Sequence, residues 1–268
     1  MKNLLALSLG MLLSASVLKA QNIDQIIVNP FQFSVNTLTE SSPKWNLNYS
    51  GSYGERTSRP FGYDGLDQKF AVKGYLGNRF TLYANASIGF SHEGGVNSAQ
   101  QAQVIKDFLG GKKAFGPKLG FGLGLNRDWD GVGAVFSRIA ASWDASKWRL
   151  GGNMVFEKAF SASRDQLDFT TTLGFQHRIL GAFFAGFEAV GQDLEGFWEE
   201  DEAEGGAKLL IGPSINYAPS NSKIAFSFAG GPVFYATRSS AIPSDAIRDL
   251  NTQNGYTLRA MISFNLHK

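Results

Sequence analysis

The chain predicts an all-β fold: a transmembrane antiparallel up-and-down β-barrel of about twelve strands. Three observations point there. Apolar residues alternate with polar ones in segments of about ten residues, the length a tilted membrane strand needs. Short and long connections between those segments alternate along much of the chain. The 268 residues include 31 glycines and 13 % aromatics, and the aromatics gather at segment ends. Glycine weakens helices and aromatics favour strands.

Residues 1–20 read as an export leader. Lys2 supplies the positive start, Leu4 to Val17 an apolar run, and Ala20 a small residue before Gln21. That run is too short to span a bilayer as a helix. The chain has no cysteine, so neither a lipid-modified cysteine, a disulfide nor a thiolate metal site is available. Of 25 lysines and arginines, Lys2 and Lys19 leave with the leader, so 23 bases face 23 acids. This balance carries no nucleic-acid footprint.

The strands follow in order. Trp45–Tyr53, Phe70–Leu76 and Phe80–Phe90 come first, the last alternating Phe80, Leu82, Ala84, Ala86, Ile88, Phe90 with Thr81, Tyr83, Asn85 and Ser87. Leu119–Leu125, Val135–Trp143, Trp148–Phe156, Leu167–Gln176, Phe183–Ala189, Leu209–Tyr217, Ile224–Phe234 and Tyr256–Leu266 complete eleven. A helix would smear such alternation around its surface, whereas a strand sends each set to one face. Single-chain barrels carry an even number of strands, so one is missing. Turn alternation fails between Ser91 and Phe115 unless a strand lies near Gln101–Leu109. Locally, Val104, Ile105, Phe108 and Leu109 suit a short amphipathic helix; parity demands a strand, and the strand is taken. Both termini then lie in the periplasm. The outer loops fall near 54–66, 91–99, 126–131, 160–164, 193–206 and 236–254.

A soluble sandwich or lipocalin-like barrel also alternates, with its apolar face inside. A membrane barrel is favoured by a face rich in Asn, Ser, Thr, Gln and Gly, and by Trp45, Tyr53, Trp143, Trp148, Phe156, Tyr217, Phe234 and Tyr256 at strand ends. The closing strand resembles an outer-membrane assembly signal, although such signals end in an aromatic and Phe264 is followed here by Leu266, His267 and Lys268.

Parity turns Lys69, Lys73, Arg79, Lys118, Arg138, Arg149, Arg178, Lys208 and Arg259 inward, with Glu157, Asp168 and Glu188. Lys73, Arg138, Arg149, Glu157, Asp168, Glu188, Lys208 and Arg259 are the main lumen candidates, and Glu188, Arg138 and Arg259 lie near mid-strand, where they would form a constriction. Inward charges also pair with one another without serving a solute. Lys118, Gly120, Gly122 and Gly124 leave an inward row nearly without side chains. Residues 21–43, with Ile23, Ile26, Ile27, Val28, Phe31, Phe33 and Val35, are apolar for a free tail; they are expected either to enter the barrel as a partial plug or to stay outside it as a mobile segment. Residues 44–268 form the barrel.

The loop Glu195–Glu204 carries six acids without an EF-hand spacing and reads as solvated. Phe197 and Trp198 would anchor it at the rim or fold inward. Of three histidines, His177 has lipid-facing parity, His267 lies beyond the last strand, and His92 sits at an outer strand end beside Ser91 and Glu93. No nucleophile elbow, metal-ligand cluster or phosphate loop is present, so neither catalysis nor a cofactor or metal is expected.

Gly186-Phe-Glu188-Ala-Val-Gly-Gln192-Asp193-Leu-Glu195-Gly196-Phe197-Trp198, then Glu202-Ala-Glu204-Gly205-Gly206-Ala-Lys-Leu-Leu-Ile-Gly212-Pro213, with Gly231-Pro232-Val233 and the closing strand, resembles the outer-membrane proteins named for the MetA pathway of phenol degradation. Their general layout covers roughly residues 44–268. The resemblance implies a small barrel that transports aromatic or hydrophobic compounds and supplies no binding residues.

The expectation is a narrow outer-membrane channel passing a small solute passively. Its partners would be the bilayer, lipopolysaccharide, the outer-membrane assembly machinery and that solute. The rivals are a lipid hydrolase or lipid-modifying barrel using His92, and a closed structural barrel whose loops bind.

Overall fold

A computed structural model describes residues 28–110, 115–161, 167–197, 207–219, 222–235 and 254–266. The leader, residues 21–27, Trp198 to Glu204 of the acidic loop, most of loop 236–254, and His267 lie outside the described residues. Twelve strands are present among the described residues: β1 (Trp45–Glu55), β2 (Gly65–Gly77), β3 (Phe80–Ser91), β4 (Val96–Asp107), β5 (Gly116–Arg127), β6 (Gly133–Asp144), β7 (Trp148–Ala159), β8 (Asp168–Leu180), β9 (Phe183–Gln192), β10 (Lys208–Tyr217), β11 (Ile224–Tyr235) and β12 (Gly255–Asn265). Each pairs antiparallel with its sequence neighbours. β12 returns to β1, from Asn46 opposite Asn265 to Glu55 opposite Tyr256, and the barrel closes.

The strand that parity demanded is β4, and it runs longer than expected, from Val96 to Asp107. The outer loop expected at 91–99 therefore shrinks to a tight turn, with Ser91 donating its N–H to Gly95 O and Gly94 donating to Ser91 O. The helix-like run in β4 has a local cause. Val104 faces out, while Ile105 is fully buried and fills the space beside Gly120 and Gly122 on β5, so two successive residues are apolar for different reasons.

Exposure separates the two faces. Leu66, Phe70, Ile88, Leu123, Leu125, Leu173, Phe226 and Ile262 lie on the outside with at least a third of their surface open. Asn46, Asn48, Ser50 and Ser52 of β1 and Thr257, Arg259 and Ser263 of β12 are buried within. Such a wall belongs in hydrocarbon, because every strand is paired and no backbone edge is left. Rings mark both rims: Trp143 and Trp148 meet at 5.5 Å at the end bearing the termini, Tyr53 and Tyr256 at 5.9 Å at the other. Leu123 lies near the middle of β5 and is 61 % exposed. Leu123→Arg is expected to lower the barrel's stability in vesicles by about 2–4 kcal/mol, read from the urea midpoint of reversible unfolding.

Apart from single-residue register shifts in β2 and β8, the ladder is interrupted between β10 and β11. β10 and β11 pair Leu210 with Val233, then resume with Ser214 and Ala229. Between them lie Gly212-Pro213 and Gly230-Gly231-Pro232. Proline has no N–H to donate, and a Cβ on Gly212 would stand 1.9 Å from Gly230 O. The paired Gly-Pro steps thus exchange ladder bonds for a close backbone approach.

Candidate functional site: a lumen occupied from both ends

The end bearing the termini is periplasmic by the rule that short turns face that side. From it, residues 28–42 run up into the lumen and back down. Val28 and Asn29 lie low, where Asn29 Nδ2 donates to Asn46 at 2.7 Å and Asn48 at 2.8 Å. The apex is Gln32 and Phe33, whose backbone N–H groups donate to Glu188 Oε2 at 2.8 and 2.9 Å. The segment then descends: Val35 N donates to Asn153 Oδ1 at 2.7 Å, Thr37 Oγ1 to Asp107 at 2.9 Å, and Leu38 N to Thr81 Oγ1 at 2.8 Å. The wall supplies acceptors and donors because a re-entrant backbone cannot leave its N–H and C=O groups unpaired in a closed interior.

Phe31 sits on two glycines. A Cβ on Gly174 would come within 2.4 Å of its ring and one on Gly151 within 2.9 Å. Of the row singled out from sequence, Gly120 stands beside Thr37 of the segment, whereas Gly122 adjoins Ile105 and Gly124 adjoins Phe136 of the wall. Glycine as a bed for this segment is therefore found mainly on β7 and β8.

From the opposite mouth, the β1–β2 loop folds inward. Phe61 is fully buried against Val190, Leu210 and Val233, with Phe33 and Tyr235 packed alongside. Arg59 Nη2 donates to Glu157 at 3.0 Å, and its Nη1 lies 3.8 Å from Asp128. The interior is thus not one water column. It carries an apolar patch on β9, β10 and β11 that a reading of strictly polar inward rows does not foresee.

The predicted charges take distinct places. Lys73, fully buried, donates to Val28 O at 3.1 Å, Asn29 Oδ1 at 3.2 Å and Asn36 Oδ1 at 2.5 Å. Glu188 holds the apex and accepts from Ser214 Oγ at 2.6 Å. Arg259 reaches both intruders: Nη1 donates to Gln32 O at 3.2 Å, Nη2 to Phe61 O at 3.4 Å, and its Cζ stands 4.6 Å from the Phe33 ring centre. Arg138 donates to Gln103 at 2.8 Å and Asn153 at 2.7 Å. Glu188, Arg138 and Arg259 do share the mid-barrel, but two of the three are engaged by the segment. Lys118 pairs with Asp144 at 2.6 Å, and Arg149 lies 3.8 Å from the same carboxylate and 4.1 Å from the Phe184 ring. Asp168 accepts from Gln192 at 3.1 Å and Lys208 donates to Ser58 at 3.1 Å, both towards the outer end.

Arg79 departs from the inward set, and Arg178 keeps its inward side only at the mouth. Arg79 sits in the β2–β3 turn with positive φ and donates to Phe108 O at 3.4 Å, because the turn takes over before parity can apply. Arg178 stays at the periplasmic mouth with its Cζ 5.0 Å from the Phe184 ring, next to the β8 bulge. The neutral residues that hold the segment, Asn153, Gln176, Ser227 and Thr81, were not singled out from sequence. Their signal was weak: amides and hydroxyls on an inward face read as ordinary wetting.

Between apex and loop lies a chamber of about 230 Å³, with Arg59, Lys69, Arg138, Arg259, Asp67 and Glu157 in its wall beside Phe33, Phe136 and Trp129. Among the described residues no group of three His, Asp or Glu side chains gathers to hold a metal.

Fold and interior define a transmembrane barrel of the outer-membrane type, with part of its own chain inside the lumen. No protein-family model matches the chain and no curated protein matches it, so the MetA-pathway resemblance gains no support there. Among solved structures, the KdgM porin in complex with disordered oligogalacturonate aligns with a TM-score of 0.53 at 9 % identity, over 83 % of this chain and 99 % of that one. The NanC porin aligns with a TM-score of 0.54 at 12 % identity, over 82 % of this chain and all of that one. At such identities the likeness is one of fold.

Proposed function

We propose that the chain is a narrow outer-membrane channel for passive passage of a small solute, shut in this conformation by residues 28–42 from below and by the β1–β2 loop from above. The chamber carries this reading: a barrel filled only for stability has no need of a cavity walled by charges. Twelve strands enclose more room than an eight-strand barrel that its own side chains fill, and here the surplus is occupied by a segment held through hydrogen bonds rather than by wall side chains alone. The mixed wall, with guanidinium groups beside rings, suits a solute that combines a polar group with an apolar body. It suits a bare hydrocarbon less, since the buried donors would then lose their partners. A cleaved leader, insertion by the assembly machinery and contact with lipopolysaccharide belong to this reading.

The closed-barrel alternative draws on one observation, the occupied lumen. The lipid-hydrolase alternative gains nothing from His92: its Nε2 meets Gly54 O at 3.2 Å and Asp64 at 3.8 Å, and Ser91 Oγ accepts from Gly95 N. Liposome swelling over solutes of graded size decides between channel and closed barrel. Swelling is expected with solutes of about 150 Da and is expected to vanish several hundred daltons higher, as a narrow lumen dictates. No swelling with any solute, including water-sized ones above the rate of empty vesicles, would leave the closed barrel.

A further inference from the structure

We infer that the chamber binds a small organic anion, a carboxylate with about nine non-hydrogen atoms; the inference rests on the channel reading for the route by which the anion arrives. Four cations and two carboxylates line the space, so positive charge is in excess there. Glu157 Oε2 accepts from Arg59 at 3.0 Å and from Asn126 at 2.5 Å. Asp67 accepts a short hydrogen bond from Ser52 Oγ. Among the cations, Arg138 has two neutral amide oxygens as partners. Arg259 spends both Nη groups on backbone carbonyls, and its Nε, in a side chain only 6 % exposed, has no hydrogen-bond partner. Lys69, half-buried on β2, makes no hydrogen bond or close ion pair among the described residues; the charges acting on it are Arg259 and Asp67.

Lys69 and Arg259 stand opposite Ser50 and Ser52 on either side of β1, so two cations flank one short strand. The two like charges act on one another, Asp67 beside them offsets part of that repulsion, and an anion in the chamber would offset more. The Arg259 guanidinium and the Lys69 ammonium both line the chamber, and hydrogen bonds between charged partners are the stronger kind. The rings of Phe33, Phe136 and Trp129 offer the rest of the ligand an apolar bed. Size follows from comparison: an engineered cavity of about 150 Å³ holds benzene, so 230 Å³ holds about half as many atoms again.

Benzoate, benzamide and benzamidine share one shape and carry a negative, zero and positive charge. Titration calorimetry of the full chain in micelles is expected to show benzoate binding at least about tenfold more tightly than either of the others. Lys69→Met is expected to weaken benzoate by about tenfold and leave benzamide unchanged, while Lys69→Arg keeps benzoate binding. The heat-dependent gel mobility of a closed barrel verifies that each variant is folded; should Lys69→Met not fold, Lys69→Gln replaces it with the same expectation. Benzamide binding as well as benzoate, benzoate indifferent to the loss of Lys69, or no heat from benzoate would each overturn the anion site. Conductance of the same preparation keeps the two readings apart. A conducting barrel with no preference for benzoate loses the site and keeps the channel; a non-conducting barrel that binds benzoate keeps the site and loses the channel.

Discussion

Deleting residues 21–40 is expected to raise single-channel conductance in planar bilayers by about tenfold, because ion flow needs a continuous wet path and the re-entrant segment interrupts it. The segment fills the periplasmic half of the lumen, with Phe31 on Gly151 and Gly174 and its apex on Glu188. Its removal leaves the wall intact: every strand keeps its two neighbours, and β1 starts at Trp45. Lys73 would lose three oxygen partners and turn to water, which then occupies the vacated space. Conductance equal to that of the full chain would show that the segment does not obstruct ions, and the proposed closure from below would fail. A second consequence concerns noise. With the lower stopper gone, the β1–β2 loop is the one restraint on flow left among the described residues, so current steps from that loop's own motion are expected to appear in the truncated protein.

The second large effect concerns the apex. Glu188→Ala removes the acceptor of two backbone N–H groups and of the Ser214 hydroxyl. Docked, those donors would be buried without partners; undocked, they would meet water. A penalty of about 1–3 kcal/mol for each unsatisfied group makes about 3 kcal/mol a conservative total. That corresponds to about a hundredfold shift towards the undocked state. The chain contains no cysteine, so Ser34→Cys provides a unique label beside the apex. Reaction with a charged thiol reagent supplied from the periplasmic side is expected to quicken by about a hundredfold when Glu188→Ala is added. Glu188→Gln keeps one carbonyl acceptor and is expected to fall between. An unchanged labelling rate would mean that Glu188 does not hold the segment down.

Strand number and orientation were legible because hydrocarbon imposes a strict rule on every second residue. Phe70, Ile88 and Leu123 had to face out, and they do. Even β4, whose Ile105 breaks the alternation, was recoverable from parity. The interior obeys no comparable rule. An inward Asn153 reads the same whether it meets water or the backbone of Val35, and its meaning appears only when the segment is in place. Gly174 reads as relief for a curved sheet until Phe31 lies on it. The inward position of Arg259 could be inferred, but its two carbonyls come from Gln32 and Phe61, 227 and 198 residues away, and no local pattern encodes that meeting. The hint the sequence offered was the apolar Val28, Phe31, Phe33 and Val35, in a segment expected either to enter the barrel as a partial plug or to stay outside it.

The path of residues 28–42 has a mechanical corollary. Val28 and Ser42 lie towards the same mouth, so residues 28–42 form a bight and not a thread: the stretch can be drawn out sideways-on without parting a single seam. Withdrawal is then a matter of breaking side-chain tethers one after another, and the same bight can slip back when the pull ceases.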